Sequence, residues 1–249
     1  MFGLRNLYKV FNETRKAARE QATLAVTGDS ARAAEIAALL GAQTSTRGAE
    51  VILAVSDTAV TISGKAIEDP GEIPLPADRL DLLEGLSHRI VRALDEDYLV
   101  PLAKGYPPLR QAACEELVRN NARQNAVIGA LPIPGADMPV MTANQARMVL
   151  NLAAAFGEDL SMARARELLG VLAAGFGLRA LSRQVVKLVP VGGWAASAAI
   201  GYAGTVAMGR ATMLYFERGG QKVGAEEMEA IRDRAAEEAK TFVSRLRRR

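Results

Sequence analysis

The residue types that do chemistry are present in this 249-residue sequence, but they do not stand at the spacing that chemistry needs. The turn Thr27-Gly28-Asp29-Ser30 follows an apolar run and precedes a helical pattern, the position where free backbone N–H groups can hold a phosphate. A phosphate loop also needs GxxxxGK[ST], whose lysine and hydroxyl handle phosphate and magnesium. That spacing does not occur, so Asp29 or Ser30 reads as a helix N-cap. His88, the single histidine, has Ser87 beside it, but adjacent helical residues do not face each other, and the histidine reads as structural or solvated. Asp95, Glu96 and Asp97 cluster without a second carboxylate group at ligand spacing and read as a solvated helix end. One histidine and one cysteine, Cys114, cannot supply the usual ligands of a structural zinc site, and a lone cysteine makes no internal disulfide. Asp137 is the one carboxylate in strongly apolar wording; burial would raise its pKa, although a hydrogen-bonded structural aspartate is the commoner outcome. The expectation is a non-enzymatic chain with no catalytic residue, no cofactor and no metal.

The elements that would position these residues are mostly helical. A hydrophobic fraction of 49% with only 5% aromatic means that Ala, Leu, Val and Gly dominate, which favours closely packed helices over a β-sandwich. The expected fold class is mainly α with a small N-terminal α/β unit and a C-terminal helical bundle or hairpin rich in Ala and Gly. Residues 1–20 read as an amphipathic basic helix, with Leu4, Leu7, Tyr8 and Phe11 on one face, and not as a signal peptide. Residues 21–76 read as the small α/β unit. An apolar run at Ala22 to Val26 and a helix over Arg32 to Leu40 come first, then β-rich runs at Glu50 to Val55 and Thr58 to Ile62, giving two or three strands. Pro70, Pro74 and Pro76 break that pattern. Residues 77–221 read as a helical module, opening with a stripe at Leu83, Leu86, Ile90 and Leu94. A second helix starts at Pro107 and Pro108 and runs to about Ala126. Residues 222–249 read as a polar helix, Ala225 to Leu246, with the basic tail Arg247, Arg248 and Arg249.

Between these lies the unusual part. Pro132, Pro134 and Pro139 break any regular helix, so Ala126 to Gly157 reads as an apolar approach, a broken loop and a helix capped by Thr142. Helices follow from Ser161 to Phe176 and from Leu178 to Lys187. The run Leu188 to Gly209 is uncharged and 22 residues long, near the roughly 20 needed to cross a hydrocarbon core. Within it Gly193, Ser197, Gly201, Thr205 and Gly209 recur every fourth residue, a small-residue face on which another backbone can pack closely. Two readings stay open, a membrane-inserted helix and a buried helix of a soluble bundle. If it inserts, Ala126 to Ala146 is its partner in a hairpin, with Asp137, Asn144 and Gln145 needing polar partners inside. Basic residues at both ends of the chain would then place both termini in the cytoplasm. Arg179, Arg183 and Lys187 form a basic stripe that fits lipid headgroups or a solvated face equally. The 31 basic residues are nearly balanced by 28 acidic ones, so no nucleic-acid partner is implied.

Two stretches, IGALPIPGADMPVMTANQARMVLNLAAAFGE and ELLGVLAAGFGLRALSRQVVKLVPVGGWAASAAIGYAGT, give the region a resemblance to a known family. Over roughly residues 112–216 the chain resembles the bacterial domain of unknown function six-nine-seven, through Pro132, Pro134, Gly135, Asp137 and Gln145 and through Pro190 and Gly192. That resemblance implies a membrane-linked helical module associated with Era-like GTPases, located at the bacterial inner membrane, with a cytoplasmic location as the alternative. It supplies no catalytic residue. The N-terminal unit departs from the GTPase-fused members, since it has no phosphate loop and is too short for a full G domain. The expected partners are membrane lipids, a GTPase or other protein, and a second copy of the chain.

Overall fold

The computed structural model describes residues 12, 14, 20–75, 79–130, 137–158, 161 and 193–246. The expected helices over 1–20 and after Ser161, the positions Pro132, Pro134, Gly135, Arg179, Arg183, Lys187, Pro190 and Gly192, the tail Arg247 to Arg249 and the side chain of Asp137 lie outside what is described, apart from single residues. Among the described residues there are four strands and seven α-helices. They run β1 (Leu24–Thr27), α1 (Ala31–Leu40), β2 (Val51–Val55), β3 (Ala59–Ser63), β4 (Gly71–Pro74), α2 (Arg79–Ala93), α3 (Leu99–Gly105), α4 (Pro107–Ala130), α5 (Asp137–Ala155), α6 (Trp194–Glu217) and α7 (Ala225–Leu246). The fold is mainly α with a small N-terminal α/β unit.

Two compact units divide the chain. The sheet unit falls within Arg15–Leu117 and Ala154–Glu158, and the helical unit within Met1–Thr14, Val118–Ala153 and Asp159–Arg249. Helices α2 and α3 and the first half of α4 therefore group with the sheet.

In the sheet unit the strands stand in sequence order, with β1 parallel to β2 and the other pairs antiparallel. The parallel pair requires a crossover, which α1 supplies. Ser30 caps α1, its hydroxyl accepting from the Ala33 N–H at 3.1 Å. Gly28 has a φ of 139° and lies so close to the end of β2 that a Cβ there would stand 2.3 Å from the Val55 carbonyl oxygen. The turn is therefore glycine for a close approach of two backbones, and the cap is Ser30. Strand β4 was not expected, because Pro70, Pro74 and Pro76 argue against a strand; it is the edge strand, and Pro74 is its last residue, where the missing N–H is tolerated. The sheet is closed on α2 by main-chain bonds: Glu68 N–H donates to Ala93 O at 2.8 Å and Asp95 N–H to Ala66 O at 2.9 Å. Tyr106, between α3 and α4, accepts from the Leu24 N–H at 2.7 Å and ties the helices to β1. Glu50 accepts from the Thr23 N–H at 2.6 Å and from Lys65 at 2.9 Å.

Four expectations on the helices need correction. Asp95 does not end a helix; its carboxylate accepts from the Asp97 N–H and caps a 3-10 turn at Glu96–Tyr98. Helix α4 runs four residues past Ala126. Helix α5 begins at Asp137, five residues before Thr142, which is a residue of the helix and not its cap. Pro139 is the third residue of α5, in the first turn, where N–H groups have no intrahelical acceptor and proline costs no hydrogen bond. Helix α6 starts at Trp194, inside the uncharged run, and does not end with that run at Gly209 but continues through Arg210 to Glu217.

Candidate functional site

The small-residue face of α6 is occupied by the chain's own α4 and α5. A Cβ on Gly201 would stand 2.7 Å from the Asn125 carbonyl oxygen and 2.9 Å from Cε of Met141, and one on Gly209 would stand 2.4 Å from Cγ2 of Val118. A Cβ on Gly129 would meet the Ser197 carbonyl at 2.9 Å. Val118 faces Gly209, Asn125 faces Gly201 and Gly129 faces Ser197, so α4 and α6 run antiparallel, backbone close to backbone at the last two levels and the Val118 side chain seated on Gly209 at the first. Side chains larger than hydrogen would hold the helices apart. Gly193 does not share this face. It is the residue before α6, at φ 70°, and a Cβ there would meet nothing within 4 Å.

At the centre of the crossing lies a seam of amides and one hydroxyl. Asn125 Nδ2 donates to Thr205 Oγ1 at 2.7 Å, and Thr205 Oγ1 donates to the Gly201 carbonyl at 2.9 Å. Asn144 Nδ2 donates to Asn125 Oδ1 at 3.0 Å and, more weakly, to the Asn121 carbonyl at 3.4 Å. Gln145 Nε2 reaches Thr205 Oγ1 at 3.4 Å. Asn125 and Thr205 are wholly buried and Asn121 is nearly so. A threonine hydroxyl has one donor and two acceptor positions, and Thr205 uses all three. The seam thus joins α4, α5 and α6 through one side chain, and none of its members titrates. It fixes the register of three helices; it offers no nucleophile, base or acid.

Helix α7 covers another side of α6, antiparallel to it. Tyr202 stacks on Phe242 with ring centroids 4.5 Å apart, Arg210 pairs with Glu238 at 2.7 Å, and Arg218 binds Glu227 through both guanidinium ends. Burial pushes the Tyr202 phenol up and Glu238 adds to this, while Arg119, Arg123 and Arg210 pull it down; the net shift is upward. The Glu227 carboxyl is held below its ordinary value by the hydrogen bond from Arg218, with the Gly224 N–H adding to it.

In the sheet unit Ser87, His88 and Glu84 line a cleft of about 350 Å³ with Gln111, Leu83 and Pro108. Ser87 turns its hydroxyl back to the Leu83 carbonyl at 2.6 Å, a bond within its own helix, so it makes no pair with His88. Cys114 is buried in α4. Among the described residues no group of three His, Cys, Asp or Glu stands where it could hold a metal ion, and no helix is long and apolar enough to cross a membrane.

Of the residues singled out from sequence, the structure brings together Gln145, Gly201, Thr205 and Gly209, leaves Ser197 at the edge with its carbonyl against α4, and separates Gly193. Sequence reasoning missed Asn121 and Asn125. Their signal was available: two asparagines four residues apart in a helix whose next turns are apolar. No protein-family model, curated protein or solved structure matches this chain.

Proposed function

We propose that this chain is a non-enzymatic, membrane-associated accessory protein whose helical unit meets the bilayer and whose sheet unit meets a soluble protein partner. The observation that carries the reading is the amide seam laid over a small-residue crossing. Close backbone approach and interhelical hydrogen bonds hold helices together even where no water is available to drive them together, which is the situation of helices in or against lipid. A GTPase as the partner rests on the resemblance carried by PIPGAD and VPVGGW.

A second reading, a soluble bundle that takes an apolar ligand or a partner helix, is favoured by α7. That charged helix lies along α6 from the Arg218–Glu227 pair to the Tyr202–Phe242 stack. Fractionation separates the two. The untagged protein, from cells broken without detergent, is expected in the membrane pellet at low salt. Resistance to high salt and carbonate would mark insertion, and release by them a peripheral attachment. Complete recovery in the soluble fraction would overturn the membrane reading and leave the soluble bundle.

A further inference from the structure

Glu84 and His88 are the ionisable side chains that line the cleft of the sheet unit, and the fold gives neither of them a task. They stand four residues apart on α2 and therefore share one helix face. Among the described residues neither has a hydrogen-bond or ion-pair partner. A carboxylate and an imidazole left open on one wall of a concave space of about 350 Å³, beside apolar side chains, make an arrangement suited to a small ligand.

The polar atoms around this space favour a donor as that ligand. An ionised Glu84 only accepts, and a neutral imidazole offers one acceptor nitrogen. Ser87 spends its one donor on the Leu83 carbonyl and keeps its lone pairs. Gln111 Nε2 donates to Glu115 Oε1 at 3.4 Å, which leaves the Gln111 Oε1 as an acceptor. The cleft borders the first turn of α4, where an anion would ordinarily find backbone donors. Those donors are missing: Pro107 and Pro108 have no N–H, and the Leu109 N–H is taken by the Tyr106 carbonyl at 2.9 Å. Arg110 is engaged elsewhere, its Nε donating to the Ala103 carbonyl at 3.2 Å and its guanidinium lying over the Phe156 ring at 5.5 Å. Arg92, one turn beyond His88 on α2, does not line the cleft.

We propose that this cleft binds a small organic ammonium ion, with Glu84 as its counter-charge, Ser87, His88 and Gln111 as acceptors, and the apolar wall against its carbon body. The lining residues all belong to the sheet unit, so the site does not depend on the membrane-associated reading.

His88 is the single histidine of the chain, so its imidazole signals need no assignment. The full-length protein, with carbon-13 in its histidine ring, is titrated in separate samples with benzylamine, benzyl alcohol and benzoate, which put a positive, a neutral and a negative group on one aromatic frame. Benzylamine is expected to move the His88 signals along a saturating curve, half complete at about 1 mM, an affinity within reach of so small a ligand. The alcohol and the anion are expected to leave them in place at the same concentrations. Glu84→Gln, a change at an exposed position, is expected to weaken benzylamine about tenfold with the helical signal unchanged. His88 signals that ignore benzylamine would overturn the proposal. An equal response to benzyl alcohol would reveal a merely apolar cleft, and a response to benzoate an anion site, and either would overturn it as well. Undiminished binding by Glu84→Gln would remove the counter-charge and the proposal with it.

Discussion

Thr205→Val tests the seam with the least disturbance of shape. Valine keeps the branching and volume of threonine and has a similar helix propensity, so the change removes one hydroxyl and little else. Three interactions go with it: the bond to the Gly201 carbonyl, the 2.7 Å bond from Asn125 and the 3.4 Å contact from Gln145. The Gly201 carbonyl keeps its place in the helix ladder. The decisive loss is at Asn125, which is fully buried and has its Nδ2 donor left facing a methyl group. An unsatisfied buried donor costs about 1–3 kcal/mol, so a loss of about 2 kcal/mol is expected. With a urea dependence of roughly 2 kcal/mol per molar, the midpoint of the helical unit falls by about 1 M at unchanged slope. Thr205→Ser keeps the hydroxyl and loses one methyl, for about 1 kcal/mol, and so ranks above Thr205→Val. Urea titration followed by far-ultraviolet circular dichroism and by Trp194 emission supplies both numbers. If Thr205→Val stays within about 0.5 kcal/mol of the parent, or Thr205→Ser falls further than it, the seam is not what holds the three helices in register.

Two further outcomes follow from the geometry. Gly209→Ala drives a Cβ into both methyls of Val118; overpacking of about 1–3 kcal/mol outweighs the helix-propensity gain of about 1 kcal/mol, and pairing it with Val118→Ala should recover part of the loss. Strictly additive effects in that double-mutant cycle would mean that the two residues do not press on each other. At Glu50, burial pushes the carboxyl up, but the hydrogen bonds from Lys65 and the Thr23 N–H, with the Lys65 charge, outweigh it and hold the net value below 4.5. A depressed carboxylate contributes stability that is present above the unfolded value and lost as pH falls through the folded one, so melts of the parent should drop below about pH 4.5. Glu50→Gln should flatten that drop, and an unchanged slope would remove Glu50 from the cause.

How much of this was legible in the sequence depended on whether local pattern decided the outcome. Helix α7 has the bounds read from its polar, amphipathic stretch, because nothing in Ala225–Leu246 competes with the helical period. Strands β1 to β3 were legible as apolar runs between turn residues. Strand β4 was hidden because proline speaks against strands in general and only an edge position excuses it, which is a fact of topology. The start of α5 was misplaced for a related reason: Pro139 looks like a breaker until the helix is known to begin two residues before it. At the seam, the four-residue repeat in α6 marked a face that would be filled, but it could not say by what. The occupant, α4, is chosen by pairs 80 residues apart such as Asn125 and Thr205, and neither residue advertises the other.

The placement of two singletons makes the two compact units separately observable. Cys114, the only cysteine, is sealed inside α4 within the sheet unit, and Trp194, the only tryptophan, opens α6 in the helical unit. A small alkylating reagent can reach that thiol only when its surroundings open, so the labelling rate is a clock for excursions of the sheet unit. The indole, at the same time, reads the helical unit by its colour. Without a single introduced label, one sample can therefore report whether the arrival of a lipid surface at one unit changes how often the other breathes.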